Sequence, residues 1–164
     1  MLNKDKAYTV YSMNNDLLRN APLIAAAISF AGAQFFKPFI NLLVEKKFDP
    51  KLFFSTGGMP SSHTAGVIAL VTAVGLKQGV GTIEFAISTT FASIVIHDAM
   101  GIRRAAGKQA EVINKWSELL EEIHKDGRFT EKHLKTMLGH SFSQVAGGIL
   151  FGFLVSILVV TFDM

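Results

Sequence analysis

The sequence predicts an all-α integral membrane bundle with about four transmembrane spans and an amphipathic helix in a long polar loop. Three observations predict it. Apolar residues make up 49% of the 164 residues, and mean hydropathy is +0.36, high for a chain of single-domain length. The apolar residues gather in four segments rather than scattering. The polar stretch between the third and fourth segments repeats its apolar residues with a helical period, not a strand period.

The first segment, roughly residues 21 to 44, is long enough to cross hydrocarbon although it carries Gln34 and Lys37. The second, about residues 62 to 76, is short, and the third, about 83 to 99, is borderline. The fourth, residues 144 to 162, is nearly uninterrupted and is the clearest span. Ala65, Ala69 and Ala73 form a small-residue stripe on the second segment. Gly148 and Gly152 form a small-xxx-small element on the fourth. Both suit close helix packing in lipid.

In the polar loop, Val112, Trp116, Leu119, Leu120 and Ile123 fall on one helical face. Lys115, Glu118, Glu121, Glu122 and Lys125 fill the other. Such a helix either docks on the bundle or lies at the membrane interface. Asp126-Gly127 ends it, and Thr130 is placed to cap a short helix through Leu138. The first twenty residues are too polar for a secretory signal, so the first span is expected to stay as an anchor. The whole chain, 1–164, reads as one membrane-embedded domain with no internal repeat.

There is no cysteine, which excludes disulfides, thiolate metal sites and thiol nucleophiles. The net charge of +3 comes without an aromatic-interleaved basic tract, so nucleic acid is not an expected partner. With four spans, the loops after the first and third lie on one side. They carry Lys46, Lys47, Lys51, Arg103, Arg104, Lys108, Lys115, Lys125, Arg128, Lys132 and Lys135. By the positive-inside rule that side is cytoplasmic in a multi-pass protein of the cell membrane.

Two strings on the basic side carry chemistry. Gly57-Gly58-Met59-Pro60-Ser61-Ser62-His63 precedes the second segment, and Gly139-His140-Ser141 precedes the fourth. Each puts a histidine and small hydroxyl residues at the mouth of an apolar helix. Helix N-termini present free N–H groups and a positive dipole end, which suits phosphate. Lys37, Arg103 and Arg104 fall on the same face. The plainer readings are that Ser61 and Ser62 cap a helix, that His140 is an interfacial residue, and that Arg103, Arg104 and Lys108 are positive-inside anchors. Lys37 resists a plain reading, because an ammonium inside a span is costly. His63, His97, Asp98 and His140 are metal-ligand types, but their spacing matches no local metal motif.

The blocks GGMPSSHTAGVIAL, HDAMGIRRAAGKQAEVIN and GHSFSQVAGGILFG resemble those of a small, divergent branch of the type 2 phosphatidic acid phosphatase superfamily. That superfamily also contains the vanadium-dependent haloperoxidases. Its pattern is a Lys with a downstream Arg-Pro, a Pro-Ser-Gly-His, and a Ser-Arg string leading to a His and then an Asp. Pro60-Ser61-Ser62-His63 is similar to the second part. His140 matches the nucleophilic histidine, with Gln144 in the Asp position. Lys37 matches the first lysine, while Val44 and Leu134 stand where the motif arginines would be.

The resemblance implies hydrolysis of a lipid or prenyl phosphate or diphosphate through a phosphohistidine, with no metal or other cofactor. His140 would attack phosphorus and His63 would protonate the leaving oxygen. Lys37, Ser61, Ser62, Arg103 and Arg104 would bind the phosphate. Gln144 would fix the tautomer of His140, Asp98 would orient an arginine or His97, and Asn114 would support the site. The other outcome is a degenerate member that binds lipid phosphate or a protein partner without turnover, favoured by Gln144 and the missing arginines. Membrane lipids are the expected surroundings in either case.

Overall fold

A computed structural model describes Leu17, residues 19–123, Leu134 and residues 140–162. Helix α1 (Ala21–Glu45) starts at Asn20, whose side chain accepts from the Leu23 N–H at 3.1 Å, with Pro22 in its first turn. It ends at Lys46 in the left-handed region, φ 55. A 3-10 helix, Pro50–Phe54, follows. Helix α2 (Ser62–Gln78) is capped by Ser61, and α3 (Ile83–Met100) by Thr82. Gly101 separates α3 from α4 (Ile102–Ile123), and α5 is Phe142–Phe162. No strand occurs among the described residues. The expected helix end at Asp126-Gly127, the cap at Thr130 and the short helix through Leu138 lie outside the described residues.

Helix α2 is the centre of the bundle. It packs on α1, α3 and α5, and α1 also packs on α5. Helix α4 packs chiefly on α3. The buried residues are small. On α1 they recur at every fourth position: Ala21, Ala25, Ser29, Ala33 and Lys37. On α2 they include Ala65, Gly66, Ala69 and Ala73, and on α5 Val145, Gly148, Gly152, Ser156 and Val160.

The expected small-residue elements therefore form the packing seam. A Cβ added at Gly148 would lie 2.7 Å from the Ser61 carbonyl oxygen, and one at Gly152 would run into the backbone of Ala65. Only glycine permits that approach. A buried hydrogen bond closes the same seam, Ser156 Oγ donating to the Ala69 carbonyl at 3.0 Å.

Large apolar side chains point outward: Phe35 and Leu43 on α1, Ile83, Ile87, Phe91 and Ile94 on α3, Leu150, Leu154 and Leu158 on α5. Small inside and large outside is the arrangement of helices whose solvent is lipid. Among the described residues three stretches are long and apolar enough to cross a membrane: α1, the run that begins with α3, and α5. Helix α2 falls short of that length with 17 residues, about 26 Å at the standard rise. Enclosed by neighbours, it has less need of a full-length apolar surface.

Candidate functional site

The C-terminal ends of α1 and α3 and the N-terminal ends of α2 and α5 meet at one end of the bundle. Backbone hydrogen bonds tie them. The Ser61 N–H donates to the Gln144 carbonyl at 3.0 Å, and the His140 N–H to the Ala99 carbonyl at 2.9 Å. Both sequence strings are thus anchored to the same end of the bundle, α2's mouth on α5 and α5's mouth on α3.

Lys37 projects from α1 into this end with no exposed surface. Its Nζ donates to the Ser55 carbonyl at 3.0 Å, and its stem runs past Gly58, which has φ +90 and leaves room where a side chain would stand. One turn earlier, Gln34 Nε2 reaches the carbonyls of Leu52, Phe53 and Ser55 at 2.8 to 3.2 Å. Together Gln34 and Lys37 hold the 3-10 helix and the loop behind it against α1.

Ser61 is the N-cap of α2. Its Oγ accepts from the Thr64 N–H at 3.3 Å and from the Thr64 hydroxyl at 3.0 Å, and it is fully buried. Ser62, the first helical residue, is 1% exposed. His63 is half-buried and meets the ring of Phe30 edge-to-face, centroids 5.5 Å apart.

His140 is buried just before α5, with Nδ1 3.1 Å from Gln144 Oε1. The same oxygen accepts from the Ser141 N–H at 3.2 Å. That second bond orients the amide, since a backbone N–H can only donate. With Oε1 fixed as the acceptor, His140 Nδ1 must carry the proton, and the lone pair of the neutral ring lies on Nε2. Ser141 Oγ caps Gln144 N at 3.4 Å and bonds the hydroxyl of Ser143 at 2.9 Å.

A cleft of about 380 Å³ opens beside Gln144. It lies between the end of α1 (Ile40, Asn41, Val44, Glu45), Leu52, Met59 and the mouth of α5 (Ser141, Ser143). Apolar walls, uncharged polar groups and the Glu45 carboxylate share its surface.

The remaining candidates fall differently. Asp98 is half-buried and His97 exposed at the end of α3, next to the Ala99 carbonyl that holds His140. Arg103 and Arg104 lie in the first turn of α4, and their side chains fall outside what the structure describes. Asn114, expected to support the site, bonds the backbone of Leu134. Its Nδ2 donates to the Leu134 carbonyl and its Oδ1 accepts from the Leu134 N–H, both at 2.9 Å, so both ends of the amide are used on backbone. Among the described residues no group of three or more His, Asp or Glu side chains comes together to hold a metal. Gln34, Ser55 and Ala99 are site-building residues that sequence reasoning missed. Only Gln34 gave a signal, as a polar residue three positions before Lys37 in an apolar segment.

A small-residue membrane bundle with a histidine, a buried lysine and two helix mouths at one end is the protein class these features define. The chain belongs to the divergent PAP2 family, whose profile matches residues 18–155. It is similar to the uncharacterized membrane protein YuiD of Bacillus subtilis, at 41% identity over 91% of this chain and 99% of that one. No solved structure matches it.

Proposed function

We propose that the protein hydrolyses a lipid or prenyl phosphate, or diphosphate, through a phosphohistidine on His140 and without a metal. The observation that carries this reading is the pair of bonds on Gln144 Oε1, which puts the lone pair on His140 Nε2. That nitrogen attacks phosphorus, the P–O bond to the leaving alcohol or phosphate breaks, and His63 supplies the proton the leaving oxygen takes. Water then cleaves the P–N bond and restores the imidazole. Lys37, Ser61, Ser62, Arg103 and Arg104 are the groups assigned to the phosphoryl oxygens. The cleft of mixed polarity beside Gln144 suits the body of an amphiphile whose tail stays in the bilayer. The active end faces the cytoplasm on the charge argument.

A second reading has its own support. Gln144 is neutral and cannot offset the positive charge that develops on His140, and Val44 and Leu134 occupy the arginine positions. These substitutions favour a member that binds lipid phosphate without turnover. Phosphate release from a panel of lipid and prenyl phosphates and diphosphates, in detergent with chelator, decides between the two. Release that vanadate blocks and His140→Ala abolishes supports the enzyme. No release above the His140→Ala background, from folded protein on every substrate, supports the binding module.

A further inference from the structure

We infer that residues 47–55 fold back into the bilayer along α1, with Phe54 against lipid and Gln34 supplying the hydrogen bonds their backbone needs there. The chain turns at Lys46, and from that point its partners step backward along α1. The Lys47 carbonyl accepts from Asn41 Nδ2 at 2.6 Å. The Phe48 ring meets Phe39, centroids 5.9 Å apart, and the Phe53 ring meets Phe39 at 6.2 Å and Phe35 at 5.9 Å. The Ser55 carbonyl accepts from Gln34. From Asn41 back to Gln34 is about 10 Å along the helix axis.

The exterior of α1 sets the depth. Phe39, Leu42, Leu43 and Val44 are 40 to 80% exposed, so the apolar surface of this span continues to Val44. Lipid that covers Val44 leaves Ser55, beside Gln34, about 15 Å deeper. Helix α2 starts from a similar recess, since Gly66 lies against Phe30 and the Ala26 carbonyl of α1.

Hydrocarbon offers no donors, so irregular backbone at that depth must find them in the protein. Gln34 Nε2 meets the carbonyls of Leu52, Phe53 and Ser55, and Lys37 Nζ meets Ser55 as well. Two polar residues that are costly inside a span thereby gain a reason to be there.

Lipid is the occupant the observations favour. Phe54 is 93% exposed and extends the surface that Phe35 and Phe39 begin on α1. Side chains three apart share a face of a 3-10 helix, so Lys51 stands one turn above Phe54. Lys46, Lys47 and Lys51 are exposed and outnumber Glu45 and Asp49, and Asp49 accepts from the Lys51 N–H. A basic rim above aromatic rings suits anionic headgroups, whereas a second copy would bring the same positive rim. Leu52, two residues before Phe54, lines the cleft beside Gln144. The element that lipid touches is therefore also a wall of that cleft. These statements concern placement alone and their readouts need no turnover, so they and the proposed hydrolysis fail separately.

The chain has no cysteine, so single cysteines can carry spin labels without interference. In phosphatidylcholine–phosphatidylglycerol vesicles, labels at Phe48→Cys and Phe54→Cys are expected to collide with oxygen more than with an aqueous nickel chelate, as at Leu43→Cys. A label at Lys47→Cys is expected to show the reverse. Gln34→Ala is expected to raise nickel access at position 54 severalfold, because the freed carbonyls need water. Nickel access above oxygen access at position 54 in the otherwise native chain overturns the re-entry, and spin–spin broadening there from a second copy overturns the lipid assignment. Unchanged access at position 54 in folded Gln34→Ala overturns the part given to Gln34. If that variant does not fold, Gln34→Met, which keeps the length and removes the donors, is read the same way.

Discussion

Helices α2 and α4 bury themselves by opposite means. Helix α2 is enclosed on three sides and meets its neighbours through Ala65, Gly66, Ala69 and Ala73, with the glycines of α5 pressed against its backbone. Its apolar residues are spread around the whole helix. Helix α4 packs chiefly on one neighbour, shows a small buried face, and leaves Val112, Trp116 and Leu119 outside. In lipid there is no water to expel between helices, so close backbone approach holds α2 in place. For α4 the amphipathic pattern separates a small buried face from an exposed apolar one. A strong helical period therefore marks the periphery here, and a weak one marks the centre.

Substitutions at the two helices should separate in the same way. The largest effect belongs to the α2–α5 seam. Gly152→Leu drives a side chain into the Ala65 backbone, and the expected outcome is loss of monodisperse folded protein in detergent. Gly148→Ala meets Ser61 and Thr64 and is expected to cost about 3 kcal/mol, read as a lowered thermal midpoint. Trp116→Ala on α4 tests the contrast. In detergent it should shift the midpoint little, because Trp116 is exposed. An equal loss of stability from Trp116→Ala and Gly148→Ala would break the comparison.

The next effect falls on rate. Gln144→Glu keeps the reach of the side chain and the bond from the Ser141 N–H, and adds the charge that a positive His140 needs. A carboxylate in the orienting position of a catalytic triad is worth up to about 10⁴ in turnover. Gln144→Glu should therefore raise phosphate release by at least about tenfold, while Gln144→Ala should lower it. A fall in rate with Glu would mean that Gln144 serves a step in which added negative charge is harmful. The smallest effect is Ser156→Ala, which removes the bond to the Ala69 carbonyl and is expected to cost about 0.6 kcal/mol in a thermal or denaturant scan.

The fold class was legible because lipid-facing helices announce themselves by length and apolarity, and α1, α3 and α5 do so. The small stripes at Ala65, Ala69 and Ala73 and at Gly148 and Gly152 were legible for the same reason. The ties within the site were not. The acceptors for Lys37 and for the His140 N–H are the carbonyls of Ser55 and Ala99, and backbone carbonyls leave no mark in a sequence. Asn114 lay within a block of familial resemblance, and nothing in its spacing distinguishes a ligand contact from a two-point grip on Leu134. The pairing of Gln144 with His140 was implied by the family resemblance, which sets Gln144 in the position of the motif's Asp. The Ser141 N–H that fixes the amide, and with it the tautomer, required the geometry.

The central claim is that His140 reacts through Nε2 because Gln144 holds Nδ1. Trapping the phosphorylated protein during turnover, and locating the phosphoryl group by mass spectrometry and phosphorus NMR at alkaline pH, tests it directly. A phosphoryl group on His140 Nε2, absent from His140→Ala, is the predicted result. A phosphoryl group on Nδ1 or on another residue, or phosphate release with no phosphohistidine formed, would contradict it.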